Sequence, residues 1–486
     1  MKVLNKILVF FILVILTGEV NSQSLTWQKI MLYTNNSQFY KSCPTKDGGI
    51  IAVGSNRIGN YQKIYIAKFN SLGDSLWAKY FDLNINKHFD GFWIEETIDL
   101  GFIISCTSDA EACLLKVDSF GNFQWNKVIL SGSGIEQAKC VKQLSDNGFI
   151  IIARTTSNNN TNDIKLIRTD QFGNNIWSKN IGDEIYDEIA NEIQYIKNSG
   201  FIITGWKQLY PNAAKLFLIR TDINGDTLWT KTINEYYSSG GYSIDLTEDE
   251  GFIIGGLADT SSNNHPNAYV LKTDSIGNIQ WSRRYSTGLN EICYAMRKHY
   301  NRGYVFCGMS DSTILGYERA IVRKIDLNGN ILFEKYFRPG PENNAFRSIE
   351  VLYDGGFIMC GYSDISNLKS MIVKTDSLGF INPVNISVIN QYTDNFELFQ
   401  NFPNPFNSET LISFNIKFDG FIKLTIFNIN GNNIAVVLNE FKKNGFYRLK
   451  FNANSFNLST GVYFYKLEYQ NLNSKIKSTK KFIYLK

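Results

Sequence analysis

Acidic residues and tyrosines gather at one recurrent place in this chain of 486 residues. In the segments that follow a repeated aromatic residue lie Glu136, then Asp183, Glu184, Tyr186 and Asp187, then Glu235, Tyr236 and Tyr237, then Glu291 and Glu342. A carboxylate can move a proton, accept from a hydroxyl or hold a cation, and a tyrosine adds a ring face with a polar tip. Acid beside tyrosine suits a sugar or a cation, although solvated loop acids are the commoner case. The candidate ligand face is Tyr186, Asp187, Tyr236, Tyr237 and Glu291. Other chemistry finds little support. Asp222-Ile-Asn-Gly-Asp226 opens like a calcium loop, but its Gly comes too early and no Glu closes it. His88, His265 and His299 are far apart and no Cys-x-x-Cys occurs, so neither a metal site nor a cofactor is expected. No Gly-x-Ser-x-Gly, His-Glu-x-x-His or phosphate-binding Gly loop is present, and no catalytic residue can be named. Seven cysteines, Cys43, Cys106, Cys113, Cys140, Cys293, Cys307 and Cys360, are an odd number, so at least one stays free or pairs outside the chain. Cys106 with Cys113, or Cys293 with Cys307, could bridge a hairpin; most read as small buried hydrophobes.

A repeat positions these segments. An Asp or Asn recurs at Asn70, Asp118, Asp170, Asp222, Asp274, Asp326 and Asp376, in steps of 48, 52, 52, 52, 52 and 50 residues. A Gly opening an apolar run recurs with it, at Gly49, Gly101, Gly148, Gly200, Gly251, Gly303 and Gly356. A period of this size marks units that bury their faces only against their neighbours. In the best-patterned unit, short β-branched and aromatic runs predict strands a (190–196), b (201–205), c (216–221) and d (227–232), with Gly and Asn turns between them. Four short strands per unit describe a β-propeller blade. In Asp-x-x-Gly-x-x-x-Trp, Asp starts the turn, Gly supplies positive φ, and the ring at Trp77, Trp125, Trp177, Trp229, Trp281 or Phe333 can pack on the next blade. The seventh unit lacks the aromatic residue and strand d. The N-terminal Leu25-Thr-Trp27-Gln-Lys29 supplies what is missing, so the expected fold is all-β: a seven-bladed β-propeller closed by an N-terminal strand, with no open edge.

Residues 1–22 read as a secretory signal: Lys2 and Lys6, an apolar run over 7–16, and a cleavage site at Val20-Asn-Ser22. The propeller then covers 23–380, and no later apolar run is long enough to span a membrane. Basic residues recur on strand c (Lys68, Lys116, Arg168, Arg220, Lys272, Lys324, Lys374) and on strand d (Lys29, Lys79, Lys127, Lys179, Lys231, Arg283, Lys335). They are spread around the rim rather than gathered on one face. They are therefore expected to cover the Trp with their stems while their heads reach water, and no nucleic-acid partner is expected. Residues 381–397 read as a linker. Residues 398–486 alternate as strands over 411–416, 422–428, 434–438, 447–451, 462–469 and 480–485, which suggests a small Ig-like β-sandwich. That segment holds 12 Lys and Arg against 4 Asp and Glu, so a basic tail follows an acidic propeller.

Through Asp163-Ile-Lys-Leu-Ile-Arg-Thr-Asp170 and Gly173-Asn-Asn-Ile-Trp177 the repeat resembles the bacterial seven-bladed propeller repeat (SBBP type), which implies a fold and little about activity. The Asp-x-x-Gly turn is similar to the Asp-box of sialidase propellers and to the docking motif of quinoprotein propellers, but its spacing differs by one residue, and in both families the motif is structural. The tail resembles the type A C-terminal sorting domain of type IX secretion. The match runs through Asn401-Phe-Pro403-Asn404-Pro405-Phe406-Asn, Ile426-Phe-Asn-Ile-Asn-Gly431, Leu458-Ser-Thr-Gly461-Val-Tyr463-Phe-Tyr-Lys466 and the terminal 480–486; the usual Pro after Pro-Phe-Asn is Ser408 here. The resemblance implies passage through the periplasm and across the outer membrane with the type IX machinery as partner, to a secreted or surface-attached location. The expected function is a non-catalytic propeller that binds a glycan or protein. The alternative is a secreted propeller enzyme, a glycoside hydrolase or quinoprotein-like.

Overall fold

Each Asp or Asn marker caps a tight turn with its own carboxylate or amide oxygen. In the third unit, Asp170 Oδ1 accepts from the backbone N–H of Phe172 and of Asn174, both at 2.8 Å, and Gly173 sits at φ +78°. The same arrangement recurs at Asn70, Asp118, Asp222, Asp274, Asp326 and Asp376. A computed structural model shows what these turns join. It describes residues 26–381 and 396–486, apart from short stretches at 32–33, 35, 84–86, 110, 133, 157–160, 182–184, 210, 262–264, 286–289, 300–302, 312–316, 366, 402, 417–418 and 471–474. The predicted signal, most of the linker, Asp183 and Glu184 lie outside the described residues.

Residues 27–375 form four-stranded antiparallel sheets, one for each repeat of the sequence, in the order a-b-c-d. In the fourth unit the strands are Asp187–Ile196, Gly200–Gln208, Lys215–Thr221 and Thr227–Thr232. The last sheet takes its fourth strand from the start of the chain: Trp27–Ile30 pairs with Leu368–Thr375, with Trp27 opposite Lys374. Trp77 opposite Lys68, Trp125 opposite Lys116 and Trp281 opposite Lys272 share that register, so the N-terminal strand occupies the position of strand d.

The repeat markers meet at the seams between sheets. Trp77 on strand d of the first unit lies against the turn Gly121 of the second, where a Cβ would come within 2.8 Å of the indole, and 6.2 Å from Phe102, which follows the Gly101 marker. Trp125 with Gly173, Trp177 with Gly225, Trp229 with Gly277, Trp281 with Gly329 and Phe333 with Gly379 repeat this contact, and Trp27 makes it with Gly73 of the first unit. Gly is needed at this position twice over, for positive φ and for the close approach of a ring. Buried apolar clusters span every seam, including one that joins Ile358, Cys360 and Ile372 of the last unit to Trp27, Phe39 and Tyr65.

The cations divide by strand. Those on strand d behave as expected: Lys79 lies 5.6 Å over Trp77 and donates to Asn122 of the next unit, and Lys179 reaches Asp226 in the same way. Those on strand c do not reach water. Lys68, Lys116, Arg168, Lys272 and Lys374 are buried and pair with Asp47, Asp99, Asp146, Asp249 and Asp354 in the a–b turn of their own sheet. Where Asn198 replaces that Asp, Arg220 bonds Ser199 instead. The turn carboxylate is close enough to satisfy the ammonium, and burial of the stem against the sheet follows.

Residues 396–486 form a three-stranded sheet of Phe396–Leu398, Glu409–Ile416 and Gly445–Asn452, and a four-stranded sheet in which Gly420–Asn428 and Gly461–Gln470 are central. They enclose an apolar core of their own that includes Phe414, Leu424, Tyr465 and Phe482. The first strand begins two residues inside the stretch read as linker.

Candidate functional site

Antiparallel order puts the b–c and d–a loops at one end of every sheet, and hydrogen bonds join them there. Asn162, entering strand c of the third unit, donates to Asp187 from its backbone (2.8 Å) and its amide (2.9 Å). His88 N donates to Asp109 Oδ1 at 3.0 Å, and Lys215 Nζ donates to the carbonyls of Tyr236 (2.6 Å) and Tyr237 (2.9 Å).

The sequence-derived candidates separate on this face. Tyr237 is 50% exposed. Tyr236 is half-buried, edge-on to Tyr269 at 5.2 Å with the Arg284 guanidinium 5.3 Å over its ring. Tyr186 carries the Lys207 ammonium 4.4 Å over its ring, and Asp187 is engaged by Asn162. Glu291 is fully buried and pairs with Arg323, which also bonds Glu334 at 2.8 Å. Burial pushes the Glu291 carboxyl up while Arg323 opposes that shift. It is a structural ion pair and does not belong with the solvent-reaching tyrosines, of which Tyr237 is exposed and Tyr186 and Tyr236 are half-buried. Of the remaining loop acids, Glu136 is buried, Glu235 accepts from the Tyr269 hydroxyl, and Glu342 is exposed. Among the described residues, no group of three or more His, Cys, Asp or Glu side chains is placed to hold a metal ion.

The opposite end of the sheets holds a cavity of 330 Å³ in the seam between the fifth and sixth units, lined by Asp249, Lys272, Trp281, Tyr304, Leu327 and Asn328. These are repeat-marker positions and their polar groups are committed: Lys272 Nζ donates to Asp249 (2.8 Å), to Gln280 (2.8 Å) and to the Thr273 carbonyl (2.9 Å).

The inner strands carry what the sequence did not reveal. All seven a strands bulge at the same place, which leaves Tyr40, Phe92, Lys139, Asn191, Tyr242, Tyr294 and Arg347 without a cross-strand partner. Each lies nine residues before its Gly marker, and that spacing is the only signal, because the residue types differ. One to three residues farther along the strands, side chains from different units form an ionic network. Arg297 bonds Glu350 at 3.0 Å and Glu192 at 3.0 Å, two units away; Lys41 pairs with Glu350; and Lys142 lies 3.6 Å from Glu95. Burial alone would raise Glu350, but Arg297 and Lys41 hold it down at about 2. Charges from six units therefore meet across the middle of the ring of sheets and are satisfied there.

The tail motif is a packing device. Phe406 is buried 5.4 Å from both Phe482 and Tyr484, and its backbone bonds Ile483 (3.1 Å) and Leu485 (2.9 Å). Asn404 Oδ1 accepts from Ile483 N at 2.8 Å, and the Pro403 carbonyl accepts from Thr410. Asn404–Pro405 is a cis peptide. Gly431 takes φ +78° in a turn capped by Asn428, and Tyr463, just past Gly461, stacks on Phe482 at 5.4 Å and donates to the Ser459 carbonyl. Asn404, Phe406 and Tyr463 thus meet on one strand, Lys475–Tyr484.

Comparison with known proteins supports the second half of this picture. Residues 400–484 match the secretion system C-terminal sorting domain. No curated protein sequence matches the chain. The chain is similar to solved structures of Sqt1 from Chaetomium thermophilum (8% identity over 78% of this chain and 94% of that one, TM-score 0.43) and of puromycin hydrolase (11%, 78% and 58%, 0.47). A third is PorZ, a surface component of the type-IX secretion system of Porphyromonas gingivalis (12%, 90% and 68%, 0.33). The sorting domain marks a secreted or outer-membrane surface protein that engages the type IX machinery. No helix among the described residues is long and apolar enough to cross a membrane.

Proposed function

We propose that residues 23–380 are a seven-bladed β-propeller closed by its N-terminal strand, that 398–486 fold as an Ig-like sandwich, and that the propeller is a non-catalytic scaffold displaying its loop face to a glycan or protein. The asymmetry of the two ends carries this reading. On the turn side, the same capped Asp or Asn turn and the same buried ion pairs recur and satisfy their own polar groups. On the loop side, lengths and residue types vary, Tyr237 is half exposed and Tyr186 lies beneath a lysine. A frame that holds one end constant and varies the other places recognition at the variable end. The test is a glycan array probed with the chain lacking only residues 1–22. For a ligand found there, Tyr236→Ala combined with Tyr237→Ala is expected to weaken binding about tenfold, while Gln171→Ala and Ser275→Ala in the opposite turns leave it unchanged. The reverse pattern would assign binding to the other face.

Export also bears on the thiols. Cys106 and Cys113 are buried, stand directly opposite each other on strands b and c of the second unit, and have Sγ atoms 2.8 Å apart. Cys293 stands opposite Gly308, and Cys307 opposite Ala295. In an oxidising periplasm the first pair is expected to pass two protons and two electrons to a disulfide donor and become a disulfide. Intact mass should then rise by about 2 Da on reduction, and Cys106→Ser should abolish that rise. An unchanged mass in exported protein would show that the pair stays reduced.

A further inference from the structure

The bulged residues of the inner strands alternate in chemistry around the ring. Tyr242 and Tyr294 pack edge to face at 5.7 Å, and Tyr40 and Phe92 lie 5.3 Å apart, which gives two aromatic walls contributed by different units. A cation follows each wall. The Arg347 guanidinium lies 4.1 Å over Tyr294, and the Lys139 ammonium 4.7 Å over Phe92. Arg347 acts across the ring as well as beside it: the Tyr242 phenol, two units away, is pushed up by burial and by Tyr294 while Arg347 pulls it down. Each of these side chains is half-buried, so part of it meets solvent. Because strand a runs from the d–a loop to the a–b turn, this girdle sits on the loop side of the ionic network that fills the middle.

Among the described residues neither cation has an ion pair like those of the network, although the Tyr294 phenol and, more weakly, Glu318 favour the charged Arg347. Arg347 Nε is buried without a hydrogen-bond partner among the described residues. Burial, with Arg154 nearby, lowers Lys139 to about 8, which marks an ammonium short of negative charge. The carboxylates in the vicinity are weak competitors. Asp90 is pushed up by burial, and Glu318 already accepts from the Tyr362 hydroxyl at 2.7 Å. A guanidinium stacked on a ring keeps its in-plane N–H groups free for a bidentate acceptor, and aromatic faces take the apolar C–H face of a sugar.

We propose that the girdle of Tyr40, Phe92, Lys139, Tyr242, Tyr294 and Arg347 binds an anionic saccharide, its ring between the aromatic walls and its carboxylate or sulfate on Arg347 and Lys139. This rests on the reading that the loop face binds a ligand, and it names the chemistry of that ligand.

The test is titration calorimetry of the chain lacking only residues 1–22 with trigalacturonate, with its methyl ester, and with a sulfated galactan oligosaccharide of matched length. At least one anionic probe binds, and which one distinguishes uronate from sulfate. The ester binds about tenfold or more weakly than the acid if uronate is the group taken. Arg347→Ala weakens binding about ten- to hundredfold, and Arg347→Lys, which keeps charge and loses the fork, falls between. Tyr242→Ala with Tyr294→Ala weakens it about tenfold. If Arg347→Ala does not fold, Arg347→Lys and the comparison of probes on the parent protein still decide. Equal affinity for acid and ester, with no sulfated binding, overturns the proposal. So does failure of both anionic probes when an array ligand binds undiminished by Arg347→Lys; the loop-face reading then stands. An array with no ligand at all removes both.

Discussion

Trp27→Ala is expected to destabilise the propeller by about 3–5 kcal/mol, the usual cost of removing a buried Trp from a packed site. The indole is 7% exposed, packs 6.0 Å from Phe69, donates from Nε1 to the Ser71 carbonyl at 3.2 Å, and fills the space above Gly73. Its partners belong to the first unit while its strand belongs to the last, so the side chain holds together the two ends of the ring. Deleting residues 23–33 goes further, because Leu368–Thr375 is then left as an unpaired edge. We expect melting to fall by about 5 °C or more for the substitution and further for the deletion, measured by circular dichroism. Trp125→Ala, at an internal seam, provides the scale. If the closure is a seam like the others, the two substitutions cost the same. If Trp27→Ala and the truncation both melt like the parent, the N-terminal strand does not close the ring.

That equivalence was legible in the sequence because every element of a seam is local or periodic. The Asp or Asn, the turn Gly and the aromatic residue are fixed within eight residues, and the Gly-Phe marker recurs in step with them. What escaped was long-range or mixed in type. Strand a reads as weakly patterned because its bulge shifts the alternation by one residue, and because Tyr, Phe, Lys, Asn and Arg all occupy the bulged position; only the constant spacing to the Gly marker reveals them as equivalent. Glu291 looked like its neighbours among the loop acids because its partner Arg323 is 32 residues away on another strand. The strand-c cations were expected in water because the turn Asp that meets them lies 20 or so residues earlier in the chain, as Asp249 does from Lys272. In each case the missing information was a partner brought near only by the sheet.

Deleting residues 396–486 is expected to abolish surface display in a host with type IX machinery, with folded propeller accumulating in the periplasm. The two parts have separate apolar cores, so the propeller has no reason to unfold when the tail is removed. Phe406→Ala tests the same route by another path. Phe406 touches Phe451, Phe482 and Tyr484 and ties the Pro403–Phe406 segment to the terminal strand, so its loss should cost the tail about 3–5 kcal/mol. A domain of this size has little more stability than that to lose. The motif residues Asn404, Phe406 and Tyr463 spend their polar and aromatic groups inside the tail, so we expect the machinery to recognise the folded surface that they support rather than the motif as an extended peptide. Three outcomes separate these possibilities in fractionated cells. Periplasmic retention of both variants supports recognition of a folded tail. Retention of the deletion with normal export of Phe406→Ala, shown by proteolysis to have an unfolded tail, points to recognition of a linear signal. Parental surface levels of the deletion variant mean that the chain leaves the cell by a route in which residues 396–486 have no part.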